Sequence, residues 1–207
     1  MSPGSLASHI YERSGRKISP LSWSQRLKIA VDIARGINYL HHEKALPHGN
    51  LKSTNILLDG PDLNGRLSDY GLHLLMTHAG TTEQILSAGV LGYQAPELVS
   101  GKKPRPSYKA DIYAFGVILL EILTGKSASD IITGNMGAVD LTDWVRLLAT
   151  EGRGAECFDL SLLVIEGGQE PPKGMEDMLS IALRCIRPVS ERPNIKTVYD
   201  DLTSIPA

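Results

Sequence analysis

Between Gln25 and His42, apolar residues fall at Leu27, Ile29, Ala30, Val31, Ile33, Ala34, Ile37 and Leu40, a broad stripe with helical period. Ser22 and Gln25 stand at the S-x-x-Q spacing of a capping box, which predicts where that helix starts. After Pro47 the pattern shortens. ILL at 56–58 and RLSDYG at 66–71 are separated by DGPDLNG, whose Gly, Pro and Asn mark a turn, so a small antiparallel hairpin is expected. From Asp111 to Thr124 the chain is apolar nearly all round and stops at Gly125, the pattern of a central buried helix. Further helices are expected at about 140–150, 175–187 and 194–204, with loops at 125–139 and 166–174. Residues 1–20 are rich in Ser, Gly and Pro around a short apolar patch (Leu6, Ile10, Tyr11), which predicts one helical turn and a loop. The sum is a mainly helical lobe with one small hairpin.

At 207 residues the chain is long enough for one domain; folding at this size buries roughly 70% of the unfolded surface. Its 21 basic and 23 acidic residues give a net charge of -2, so no nucleic-acid or polyanionic partner is indicated. The longest apolar run, Ile112 to Leu123, is 12 residues and contains Glu121, too short to span a bilayer. No direct membrane insertion is expected, nor a signal peptide, since the first residues lack a basic and then apolar stretch. Cys157 and Cys185 show neither metal-ligand nor CxxC spacing and read as buried thiols. A soluble, cytoplasmic chain is the expectation.

Three short motifs occur in order: HGNLKSTN at 48–55, DYG at 69–71 and APE at 95–97. Together they resemble the carboxyl-terminal lobe of a eukaryotic protein kinase, with its H-R-D-L-x-x-x-N, D-F-G and A-P-E motifs. RLKIAVDIARGINYLHH, DIYAFGVILLEILTG and SERPNIKTV further resemble plant leucine-rich-repeat receptor-like kinases. The nearest resemblance is to the receptor-like pseudokinase group that includes the guard cell hydrogen peroxide-resistant proteins. This implies a mainly α, protein kinase-like fold, carboxyl-terminal lobe only, with residues 1–20 as a post-hinge segment and 21–207 as the lobe. The amino-terminal β lobe, with its Gly-rich loop, strand lysine and partner glutamate, would be absent, leaving half of a nucleotide cleft.

The resemblance also assigns roles. The loop aspartate that accepts the substrate hydroxyl's proton is replaced by Asn50, a neutral amide that takes no proton at useful pH. The preceding arginine, which pairs with a phosphate on the activation segment in many kinases, is replaced by Gly49. In GVLGYQAPE, Val90 stands where receptor-like kinases commonly have a threonine that bonds to the catalytic aspartate. Lys52 is placed to neutralise a transferred phosphate, and Asn55 and Asp69 to hold Mg²⁺, so ATP and magnesium enter as doubtful cofactors. On the residues alone, Asn55 and Asp69 equally satisfy backbone groups in tight turns, and Lys52 equally reads as a solvated charge.

Structural roles are implied for His48, Tyr70 and Gly71, with Tyr70 stacked in the core on His48. Glu97 is expected in a buried ion pair with Arg192, and Asp111 as acceptor for the backbone of the 48–50 loop. Thr77, Thr81, Thr82 and Ser87 lie between DYG and APE, where an unmodified loop is favoured over phosphorylation, and GKKPRP at 101–106 reads as a solvated loop.

Three functions are open at this point. The first is a catalytically impaired lobe that signals by binding other signalling proteins, active kinases among them. The second is a low-activity serine/threonine kinase once joined to an amino-terminal lobe, and the third a truncated product without independent role. As part of a full-length receptor, the lobe would sit on the cytoplasmic face of the plasma membrane.

Overall fold

A computed structural model describes residues 4–11, 20–75, 92–99, 105–130, 132–134, 137–165 and 171–206. The long helix α2 (Trp23–His42) begins at the predicted capping box: Ser22 Oγ accepts from Gln25 N, and Gln25 Oε1 accepts from Ser22 N. Its stripe is fully buried at Ile29, Ala30, Ile33, Ala34 and Ile37; each isoleucine contributes about 2 kcal/mol of burial. The central helix α4 (Tyr108–Thr124) starts three residues before the expected Asp111, because Ser107 caps it by accepting from Ala110 N. Every residue from Ala110 to Thr124 is buried. The helix ends where Gly125 turns left-handed, at φ 68°.

Around α4 pack α5 (Leu141–Thr150), α7 (Lys173–Cys185) and α2, while α8 (Ile195–Thr203) lies against α2. The closest approach is at Gly116, where a Cβ would sit 2.7 Å from Cys185 Cβ, so a side chain here would force α4 and α7 apart. Short helices α1 (Leu6–Ile10), α3 (Pro96–Val99) and α6 (Leu160–Ile165) complete the helical set of the described residues. Cys157 and Cys185 are free and buried, and burial pushes both thiols up to about 12.

The expected hairpin is β2 (Ile56–Asp59) with β3 (Asn64–Leu67), paired Ile56 to Leu67 and Asp59 to Asn64. It is not alone. Strand β1 (Gly4–Ser5) adds a third antiparallel strand on β2, in the region read from sequence as a turn and loop. A second departure lies in the expected 125–139 loop, which carries β4 (Ile132–Gly134) paired with β5 (Gly137–Val139). Strands of two and three residues are too short to display a period. No helix among the described residues is long and apolar enough to cross a membrane.

Candidate functional site

The 48–55 loop is held from outside. Asp111, buried in the first turn of α4, accepts from His48 N through Oδ2 (2.7 Å) and from Gly49 N through Oδ1 (2.9 Å). His41 Nε2 makes a third bond to the same carboxylate at 2.8 Å. Within the loop, Asn55 Nδ2 donates to Asn50 O (2.9 Å), and Asn50 N donates to His48 Nδ1 (3.3 Å). That last bond needs a bare Nδ1, so His48 is neutral with its proton on Nε2; burial drives its pKa down against the opposing pull of Asp111. His48 O accepts from Gly71 N (3.0 Å) and Asn55 O from Ser68 N (2.9 Å), which knits the loop to the DYG turn.

Asp69 adopts φ 57°, and Gly71 follows at φ 69°. Asp69 is exposed, and its Oδ2 accepts from Ser68 Oγ at 3.0 Å. Tyr70 is not the core residue expected: it is 51% exposed and meets the buried His48 ring edge-on at 6.2 Å. The turn that aims Asp69 outward carries its neighbour with it.

Gly49 sits at φ 74°, and a Cβ there would lie 2.8 Å from His73 Nδ1 and 2.9 Å from Pro106 Cβ. The start of an arginine side chain at this place is already occupied. His73 Nδ1 is buried without a hydrogen-bond partner among the described residues, and burial lowers the ring's pKa. Beside Asn50, between Leu51, Tyr93 and Asp111, a cavity of about 30 Å³ remains, the room of a single water. Asn50's side chain makes no hydrogen bond among the described residues, while its backbone N and O are both engaged.

Sequence reasoning missed a buried relay behind the loop. Ser53 Oγ lies 2.8 Å from both Tyr11 Oη and Tyr93 Oη, and Tyr93 Oη donates to Glu121 Oε1 at 2.7 Å. Ala128 N donates to the same oxygen (2.8 Å), whereas Oε2 is buried without a partner among the described residues. Burial raises Glu121 to about 7, although Tyr93 and Ala128 N pull it down. The signal was present in the sequence as the lone carboxylate of the apolar run.

Glu97, on α3, forms a two-pronged ion pair with Arg192 at 2.5 and 2.8 Å. The pair is buried on one side only: Arg192 is 1% exposed and Glu97 29%. Arg192 also donates to Arg187 O (2.7 Å) and Lys109 O (3.0 Å), and its guanidinium lies over the Tyr113 ring. Burial would raise Glu97, but the bonds from Arg192 outweigh it and hold the carboxyl below its usual value. A second such anchor went unnoticed in the sequence. Buried Arg26 donates to Leu21 O (3.2 Å), Ile122 O (2.6 Å) and Asp159 Oδ2 (2.6 Å).

Val90, Thr77, Thr81, Thr82, Ser87 and residues 101–104 lie outside the described residues. Among the described residues, no three His, Cys, Asp or Glu side chains cluster to hold a metal.

A helical lobe built on a central buried helix, with a three-stranded sheet leading into a His48–Asn55 loop tied to a DYG turn, is the carboxyl-terminal lobe of a protein kinase fold. The chain belongs to the protein kinase family, whose domain, described as "Protein kinase domain", matches residues 1–162. It is 68% identical over 207 residues to the LRR receptor-like serine/threonine-protein kinase GHR1 of Arabidopsis thaliana, covering 99% of this chain and 20% of that protein. It is 58% identical over 203 residues to the Probable inactive receptor kinase At5g10020 of the same plant, covering 98% and 19%. The solved kinase domain of maize SIRK1 bound to AMP-PNP is similar with a TM-score of 0.85 and 51% identity, over 97% of this chain and 65% of that one. The pseudokinase domain of BIR2, an immune regulator of the RLK/Pelle family, has a TM-score of 0.78 and 34% identity, over 99% and 58%. The chain therefore spans about a fifth of the length of these two curated relatives.

Proposed function

We propose that this receptor-like kinase lobe signals by binding other proteins, active kinases among them, and that its phosphoryl-transfer loop is catalytically impaired. The observation that carries this reading is Asn50. It sits in a loop held by Asp111 at His48 N and Gly49 N and by Asn55 at its own carbonyl, yet its amide has no basicity with which to accept a hydroxyl proton. Loss of that assistance alone lowers the rate about 10²- to 10⁴-fold. Gly49 supports it, since His73 and Pro106 fill the space of a phosphate-clamping arginine. A relative named as inactive and a solved pseudokinase domain accord with this reading.

A second reading, a low-activity ATP-dependent serine/threonine kinase in a longer protein, is favoured by Lys52, Asn55 and Asp69. Asn55 commits its amide nitrogen to Asn50 O, its Oδ1 makes no hydrogen bond among the described residues, and the Asp69 carboxylate is exposed. Two protein oxygens suit Mg²⁺, which takes the rest of its ligands from phosphate and water. The likeness to a kinase domain bound to AMP-PNP points the same way.

The deciding experiment joins this chain to the amino-terminal lobe of the maize relative's kinase domain and measures phosphate transfer to casein, with and without Asn50→Asp. Silence in the joined protein, with activity recovered by Asn50→Asp, is expected. Transfer with Asn50 in place, abolished by Lys52→Ala, would establish the second reading.

A further inference from the structure

α3, the carboxyl-terminal half of α5 and the 186–192 turn after α7 line a groove of about 730 Å³. Its floor is apolar: Ala149, Leu183 and Ile186 line it, and Val189, 43% exposed, stands at its edge. Three arginines and one carboxylate line the same space. Arg192 and Glu97 neutralise each other. Arg146 is fixed in place by donating to Ile186 O at 2.5 Å and to Asp143 at 3.1 Å, with its side chain still 40% exposed. Arg187 is exposed, and among the described residues its guanidinium makes no hydrogen bond or ion pair. The backbone beneath it is rigid, since Arg187 O accepts from the buried Arg192 Nε.

An apolar trough with net positive lining, held by an ion pair on one wall and a backbone-anchored arginine on the other, is complementary to a segment that offers both apolar side chains and negative charge. We propose that this groove is a docking site for an acidic, amphipathic peptide segment of a protein partner, with leucine-like side chains on Val189 and Ala149 and an anion on Arg187. This rests on the protein-binding reading of the lobe and gives it a place and a chemistry. The anion is a carboxylate or a phosphate, since both pair with an arginine fork.

The test titrates the full chain into three fluorescein-labelled ten-residue peptides with identical leucine spacing, whose intervening positions are Glu, phosphoserine or Lys, read by anisotropy. Saturable binding of the Glu or phosphoserine peptide is expected, with the Lys peptide at least about tenfold weaker and affinity falling as salt rises. Preference between the two anionic peptides identifies the anion. Arg187→Glu and Val189→Asp should each weaken binding roughly tenfold. Both residues are surface-exposed, and an unchanged thermal melt shows that the fold is kept.

Equal binding of the Lys peptide, or no loss in either variant, overturns the proposal, as does absence of binding by a cooperatively melting chain. Arg187→Glu lies outside the phosphoryl-transfer loop, so it leaves the phosphate-transfer result of the joined protein unchanged. A kinase-active joined protein that still binds the acidic peptide sinks only the impaired-lobe reading, and a silent one that binds no peptide sinks only the groove.

Discussion

Around the 48–55 loop, side chains from elsewhere hold backbone atoms, whereas around Arg26 and Arg192 a side chain is itself the tie between helices. Asp111 grips the backbone amides of His48 and Gly49. Arg26 and Arg192 each gather two backbone carbonyls and a carboxylate around one buried guanidinium. The difference teaches that loop shape and loop chemistry are separable here. A residue bonded through its backbone can change its side chain at little cost to the fold, so Asn50 is tolerated inside an otherwise intact scaffold. Nothing similar is open to the anchors.

The largest effect expected is at an anchor. Arg26→Ala removes the hydrogen bonds to Asp159 and to two buried carbonyls and should destabilise the fold by about 4 kcal/mol in urea denaturation. A loss below about 1 kcal/mol would erase the contrast between anchor and loop.

Next comes the relay that joins the two regions. Glu121 is raised from an ordinary 4.5 to about 7 in the fold, so its stabilising contribution is complete below pH 4.5 and is lost as pH rises through about 7. Stability should fall by about 3 kcal/mol between roughly pH 5 and pH 8, and Glu121→Gln should flatten that slope. Glu97 and Asp159 act in the opposite sense, both being held below their ordinary values by arginines that outweigh the effect of burial. Their contribution is present above the ordinary carboxylate range and lost as pH falls through their depressed values. His48 and His73, both lowered by burial, add a rise in stability with pH up to their ordinary value, so the difference in urea midpoints between the unaltered chain and Glu121→Gln is what isolates the Glu121 slope.

Asp111→Asn sharpens the comparison, since it keeps volume but turns one acceptor into a donor facing His48 N and His41. A cost of about 2 kcal/mol is expected, with faster hydrogen exchange at the His48 and Gly49 amides. The smallest effect belongs to Asn50→Asp. Its side chain holds nothing among the described residues, and stability should move by no more than about 0.5 kcal/mol in a thermal melt. A large shift would show that the asparagine had been built into the fold.

Much of the helical plan was legible from pattern alone. The capping box at Ser22 and Gln25 and the stop at Gly125 sit where the sequence places them, because caps depend on local hydrogen bonds between near neighbours. Strand β1 was not legible. Gly4 and Ser5 are strand only because Leu57 and Leu58 lie beside them, and two residues carry no period. The motif residues were equally visible, but the exposure of Tyr70, the partial exposure of Glu97 and the filling of Gly49's surroundings by His73 and Pro106 were not.

By itself, then, the sequence determined the lobe's helices, the order of its motifs and the neutral amide at Asn50, since residue type fixes proton affinity and periodicity fixes which face is buried. Only the tertiary structure decided which distant groups meet: Glu121 with Tyr93, Arg26 with Asp159, and Arg146 with the Ile186 turn. Those partners lie 28, 133 and 40 residues apart along the chain, beyond the reach of any local pattern. They are joined because burying a charge or hydroxyl requires a partner, and only the packed tertiary structure supplies one.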